Sequence, residues 1–438
     1  MPESLKNRIL WVLVFAGVLM FAYRGIYRGI RHQLTNDFFG VYTISKAWLG
    51  GQELYSTQVF VDTFQRASGY TLGRNTLPLA SKYTAIPGMV PLIAPFSIFQ
   101  WQAANTLWVL FGAGILVLML WQFSRESGAP KSSALTFFAA CFLLGPIQTG
   151  LAAVNITPLL VGLMGISYLL YRRGEWMFSG VLLGIVGCCK PHIAGAMVLV
   201  LLADRAWKPL IVSLVTGLTS TGIFVARLAV AFIPWWHGFV ERTRYFGAVG
   251  DANDFSRANS ARYELTNLQV ILGSITNSRT LANVIAIATG FALVAGWWIA
   301  VRRHGKTNLF AFAVITLILL LPSYHRFDDV SVLVFLFAAA FLTNSASWLR
   351  RTAMAATLLF LMPVAAGIVN LAETGRIPTF LLHERAFQLT FLTFHIWFLL
   401  ALAGLLLWKM FTVTTEEYKA LDYLDQTAAL RRAAVGSL

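Results

Sequence analysis

The chain has 438 residues, of which 57% are hydrophobic and only 12% charged, where an ordinary soluble domain carries about 25% charged residues. So little polar side chain cannot cover a soluble body of this size. That excludes a soluble enzyme, a disordered chain and a fibrous repeat, and points to a protein that crosses a membrane many times. The charges that remain are lopsided, 34 Lys+Arg against 19 Asp+Glu for a net +15.

Taken in chain order, Lys6 and Arg8 precede an apolar run from Ile9 to Ala22. Tyr23, Arg24 and Gly25 follow instead of a small-residue cleavage site, so the run reads as an uncleaved first span, near 9–29. Further spans are expected near 103–123, 134–151, 156–171, 177–190, 192–204, 209–233, 281–303, 309–323, 328–345, 352–371 and 387–410. The expected fold is therefore all-α and polytopic, with about twelve transmembrane helices and both termini cytoplasmic. Several runs fall short of the roughly 20 residues of a straight crossing, as broken helices around an internal cavity do. The segment 84–101 carries Pro87, Pro91 and Pro95 and reads as re-entrant or juxtamembrane.

Short loops rich in Lys and Arg face the cytoplasm. Arg125/Lys131, Arg172/Arg173, Arg205/Lys208, Arg302/Arg303/Lys306 and Arg350/Arg351 mark such loops. Two long polar segments, about 30–83 and 234–280, then fall on the outer face, with a short cluster from Ser323 to Asp329. Residues 1–411 form the membrane body and 412–438 a cytoplasmic tail. Cys141, Cys188 and Cys189 sit in apolar runs without CxxC spacing, which supports neither a disulfide framework nor a thiolate metal site.

The outer segments hold the residues that carry chemistry. Asp37 follows the first span directly, where an ionisable group is costly unless used, although a helix N-cap would also place it there. Trp48, Tyr55 and Phe60 suit an amphipathic helix lying in the interface. Gln148 and Asn155, near the helix-breaking Gly145-Pro146, offer hydrogen bonds to a sugar or between helices. Lys190, in Lys190-Pro191-His192 between two short spans, needs an anion at that depth, and a lipid phosphate is one. Arg257 and Arg262 flank Asn259 and Ser260 as a phosphate grip. Tyr324-His325-Arg326-Phe327-Asp328-Asp329 is the densest polar cluster. His325 and Arg326 suit a phosphate, and the aspartates would orient them or bind a divalent ion.

In this order the motifs resemble the GT-C superfamily of membrane glycosyltransferases. They are most similar to glycosyltransferase family 87, in its polyprenyl-phosphate-mannose-dependent, PimE-like branch. The likeness is carried by Asp37-Phe38 with Tyr42, Ala47-Trp48-Leu49 through Tyr55, Tyr83 with the three prolines, and Trp108. It continues in Gln148 with Asn155, Gly180 and Gly184 leading to Lys190-Pro191, Asn259-Ser260, and Tyr324-His325-Arg326 with Asp328. The resemblance implies a GT-C fold with juxtamembrane helices in the first outer loop. The donor would be a polyprenyl-phosphate sugar, mannose by analogy, and the acceptor a glycolipid or glycan at the extracytoplasmic face of a bacterial-type inner membrane. Asp37 would be the general base of an inverting transfer. Lys190, Arg257, Arg262, His325 and Arg326 would hold the phosphate. Gln148, Asn155, Asn259, Tyr83, Tyr324 and Asp328 would contact sugar or acceptor. Membrane lipids are the remaining partners. No nucleic acid or cofactor is expected, and the transfer is expected to be metal-independent, with a divalent cation as the open alternative.

Three other classes compete, one of them a non-catalytic scaffold, against which the polar clusters on one face argue. A secondary transporter would want charges spread through mid-span positions and two similar halves, and no internal repeat is visible. An O-antigen ligase or polymerase-type enzyme would use a diphosphate-linked glycan and would not need Asp37.

Overall fold

The computed structural model describes residues 3–31, 36–71, 83–251 and 253–421. The parts of the first outer loop at 32–35 and 72–82, and the tail beyond 421, lie outside them. The described chain is helical throughout. Helix α1 (Glu3–Arg31) contains a π-helical turn at Phe21–Tyr27. Next come α2 (Asp37–Leu49), α3 (Thr57–Ser68), α4 (Met89–Ser97), α5 (Trp101–Ser127), α6 (Lys131–Leu143) and α7 (Gly145–Ala152). Helices α8 (Thr157–Arg172), α9 (Trp176–Cys189), α10 (Pro191–Ala203), α11 (Trp207–Val230), α12 (Trp236–Tyr245), α13 (Leu268–Thr276) and α14 (Arg279–His304) follow. The chain closes with α15 (Leu309–Ile318), α16 (Leu333–Phe341), α17 (Ser347–Leu359), α18 (Val364–Glu373), α19 (Phe394–Thr412) and α20 (Thr415–Ala420).

Among the described residues, six helices are long and apolar enough to cross a membrane, α17 and α18 counting as one, and seven if α6 and α7, bent by 45°, form another. The expected count of about twelve would need the shorter helices as well, among them α9, α10 and α15. Large apolar side chains lie outside rather than inside on several long helices. Phe15 on α1, Leu214 and Leu218 on α11, and Phe291 on α14 are all exposed. Water would not tolerate such faces, and lipid favours them. The helix of the 84–101 segment, α4, has nine residues with Pro95 inside it, less than half of a straight crossing.

Contacts between loops sort the two ends of the bundle. At one end Arg173 pairs with Glu126, the Thr307 amide donates to Asp204 and Arg303 donates to the Phe411 carbonyl. The start of the tail docks there, with Tyr418 buried and stacked on His304. The paired basic loops crowd this end. At the other end lie the turn at 153–156, the Lys190 junction, the outer loop after α12, residues 322–332 and the link from α18 to α19.

Helices α2 and α3 depart from the interfacial expectation. Trp48, Tyr55 and Phe60 are buried against the body, and the Trp48 indole donates to the Phe224 carbonyl. Phe39, Phe60, Phe64, Tyr83 and Trp101 interlock edge-to-face and stacked beneath them. This aromatic plug fixes the start of α2, and with it Asp37.

Candidate functional site

Asp37 stands in the first turn of α2, and the N-cap is its neighbour Asn36, whose side chain accepts from the Phe39 amide at 2.9 Å. Asp37 is therefore not needed as a cap. Its own amide donates to the Ala153 carbonyl at 3.0 Å. Its carboxylate accepts from Asn155 Nδ2 at 2.6 Å. Tyr83 closes one side, its hydroxyl donating to the Asn36 carbonyl at 3.3 Å. The ring lies so near α2 that a Cβ on Gly40 would sit 1.9 Å from it, so only glycine admits this approach.

From Asp37 a polar chain runs inward. Asn155 Oδ1 accepts from the Thr157 amide at 2.8 Å and from Lys190 Nζ at 3.3 Å. Lys190 Nζ also donates to Thr157 Oγ1 at 2.6 Å and pairs with Asp329 Oδ1 at 2.8 Å. Thr157 Oγ1 in turn donates to the same Asp329 oxygen at 2.7 Å. The other oxygen, Oδ2, takes the His325 ring and the Arg326 amide, both at 3.2 Å. Lys190 can stand here because α9 ends at Cys189 and Pro191 opens α10, so the side chain projects from a helix break instead of a lipid-facing wall.

Asp328 is 3.8 Å from Lys190 Nζ. It is buried, and its Oδ2 has no hydrogen-bond partner, a costly state that marks a place for a donor. Gly150 lets α7 approach closely, since a Cβ there would lie 3.2 Å from the Asp328 Cβ. The 3₁₀ helix Phe327–Val332 presents both carboxylates, so the first residues of the span expected at 328–345 are 3₁₀ turns of this site. Arg326 donates to the Tyr324 hydroxyl at 2.8 Å and to Asn253 at 3.2 Å. The outer loop is stitched to the cluster by an antiparallel bridge between Leu265 and Arg326 and by the Thr266 amide on the His325 carbonyl.

The remaining expected residues stand apart from this chain. Gln148 is buried and donates to the Phe142 carbonyl at 2.8 Å, linking α7 to α6. Arg257 is exposed and donates to the Ser274 carbonyl at 3.1 Å. Arg262 is buried, donating to the Tyr263 hydroxyl at 2.5 Å and to Gln388 at 3.2 Å. Asn259 caps the short 3₁₀ helix Ser260–Glu264 and donates to the Asp254 carbonyl. Asp254, outside the spans, is desolvated by burial. Hydrogen bonds from the Ser256 hydroxyl and from the Gly250 and Ser256 amides outweigh that and hold its carboxyl below the usual carboxylate range.

Sequence reasoning left Thr157 and Gln388 unnamed, and it carried Asp328 but not Asp329 into the expected sugar and acceptor contacts. Nothing in the sequence marks which carboxylate of an adjacent pair turns inward. Thr157 had a signal, a hydroxyl two residues after Asn155 at the start of α8.

Among the described residues, His192, His325 and Asp329 are the group of three whose ligand atoms come close enough to suit a metal ion. Both Asp329 oxygens already serve four donors, one of them the Lys190 ammonium. The Lys190 ammonium occupies Oδ1, while the His325 ring and the Arg326 amide meet Oδ2, so a cation in this group would share the carboxylate with the lysine.

No curated protein and no solved structure matches the chain. The family model for Glycosyltransferase family 87 matches residues 83–323, from Tyr83 to the edge of the His325 cluster and over half of the sequence, and the chain belongs to that family.

Proposed function

We propose that this membrane glycosyltransferase moves a sugar, mannose by resemblance, from a polyprenyl-phosphate donor to a glycolipid or glycan acceptor, with inversion. The observation that carries the reading is the half-buried to buried chain Asp37–Asn155–Lys190–Asp329–His325 in a helical membrane protein of this family. A carboxylate, the base in this reading, stands at one end with cations near it.

Asp37 takes the proton of the acceptor hydroxyl as the oxygen attacks the anomeric carbon. The bond from that carbon to the phosphate oxygen breaks, and its electron pair leaves with the polyprenyl phosphate. Lys190, His325 and Arg326 meet the charge that develops on the leaving oxygen. No metal is required in this scheme. Tyr83, Tyr324 and Asp328, each in electrostatic range of Arg326, would orient sugar and acceptor. An apolar groove of about 520 Å³ between α4 and α5, lined by Phe96, Phe99 and Leu110, suits the isoprenoid chain. Phe96 packs on Trp108, and Trp108 stacks on Phe38, next to Asp37.

The short helices are read as crossings, about twelve spans in all, because loop contacts alternate between the two ends. The end rich in paired Arg and Lys is cytoplasmic by the insertion rule. The site then opens on the extracytoplasmic face of a bacterial-type inner membrane. The test incubates purified protein with a polyprenyl-phosphate sugar and a membrane lipid extract. Transfer lost in Asp37→Asn supports the reading. No transfer from any lipid-monophosphate sugar sinks the donor class, and a diphosphate-linked glycan used instead favours the ligase-type alternative.

A further inference from the structure

The turn between α7 and α8 holds Asp37 from two sides. Ala153 accepts the Asp37 amide, and Asn155 donates to its carboxylate at 2.6 Å. Between them Val154 has φ +55°, a left-handed conformation that a β-branched residue adopts only under constraint and that clusters at functional sites. The Asn155 amide has no freedom to flip. Its oxygen faces two donors, the Thr157 amide and Lys190 Nζ, so its nitrogen must face Asp37. One carboxylate oxygen is thereby fixed, and the other is left for a substrate proton.

We propose that Asn155 is the positioning residue of Asp37, aiming its carboxylate through one donated hydrogen bond while Lys190 and Thr157 hold the amide in register. The proposal rests on Asp37 being the base, and it assigns Asn155 to the base rather than to the sugar. It also makes Lys190 a shared element, since the same ammonium touches Asn155 and Asp329. Loading of the leaving-group end thus bears on the geometry of the base.

Among the described residues, the charged and titratable groups in electrostatic range of Asp37 are Arg326, Asp328 and Tyr83, with Lys190 behind Asn155. Asn155 supplies the direct donor.

Two variants separate aiming from folding. Asn155→Asp keeps an acceptor for Thr157 and Lys190 but replaces the donor facing Asp37 with a second carboxylate. Asn155→Ala removes donor and acceptor together. In Asn155→Asp the acid limb of kcat/KM should move up by about 1–3 pH units, the usual effect of an adjacent like charge. In Asn155→Ala kcat should fall about tenfold to a hundredfold, the scale of a misplaced reacting group, with KM nearly unchanged. A substrate-free readout runs alongside, carbodiimide labelling of Asp37 followed by mass spectrometry across pH. Its midpoint should rise in Asn155→Asp, where a carboxylate faces Asp37. An unchanged midpoint in folded, monodisperse Asn155→Asp overturns the proposal, and so does a raised KM at unchanged kcat in either variant, which would make Asn155 a substrate contact. Should Asp37→Asn keep its transferase activity, the base assignment fails, while the labelling still reports whether Asn155 controls the Asp37 carboxyl.

Discussion

Two sets of basic residues face the same end of the molecule, and they live differently. Lys190 belongs to the chain of side chains that reaches Asp37, and Arg326 joins that chain through its backbone amide on Asp329. Lys190 is paired with a buried carboxylate and touches Asn155. Arg257 and Arg262, two turns of loop away in sequence from α13, hold the outer loop together through Ser274, Tyr263 and Gln388. By residue type the two sets are equivalent phosphate ligands. By partner they are not: Lys190 is wired to the Asp37 carboxylate through Asn155, while Arg257 and Arg262 are held by a carbonyl, a hydroxyl and a side-chain amide. A cation's partners, rather than its presence on the outer face, decide what it can do for a reaction.

The contrast yields predictions of graded size. Asp37→Asn should cut transfer by about 10²–10⁴, the range for loss of a general base, in a transferase assay at unchanged thermal stability. Lys190→Met leaves Asp329 buried without its cation and should cost about 3–5 kcal/mol of stability, read as a lower thermal midpoint. Adding Asp329→Leu to that variant should restore much of the midpoint without restoring activity. Arg262→Ala loses a buried side chain and its bond to Gln388. It should destabilise by about 1–3 kcal/mol and lower activity only in proportion to folded protein, whereas Arg257→Ala, at an exposed site, should change either quantity little.

The smallest effect concerns pH. The Asp254 carboxyl is held below its ordinary value in the folded loop. The stability it contributes is therefore present above about pH 4, the unfolded value, and is lost as pH falls through the depressed folded value. Hydrogen exchange at Gly250 and Ser256 should quicken in acid beyond its intrinsic pH dependence, and Asp254→Asn should remove that excess.

Much of this architecture was legible in the sequence because lipid imposes a simple code. Apolar runs, paired basic loops and proline-broken segments gave the all-helical membrane body and its two ends. The identities of Asp37, Asn155, Lys190, His325, Arg326 and Asp328 were legible too, since polar residues are rare in so apolar a chain. Their pairing was not. Lys190 and Asp329 are 139 positions apart, and nothing local announces that one neutralises the other. Gln388 lay hidden at the start of the span expected at 387–410. The helix begins at Phe394, after a π turn at Gln388–Leu392, because the segment folds onto Arg262 before it enters the bundle. Trp48, Tyr55 and Phe60 misled for a related reason. Amphipathic spacing is the same whether the apolar face meets lipid or protein.

The most direct measurement is a structure of the protein with a non-transferable polyprenyl-phosphate sugar bound. The account predicts the phosphate within about 3 Å of Lys190, His325 or Arg326, with the anomeric carbon open to the acceptor side where Asp37 stands. A phosphate held by Arg257 and Arg262, with the sugar remote from Asp37, would contradict it.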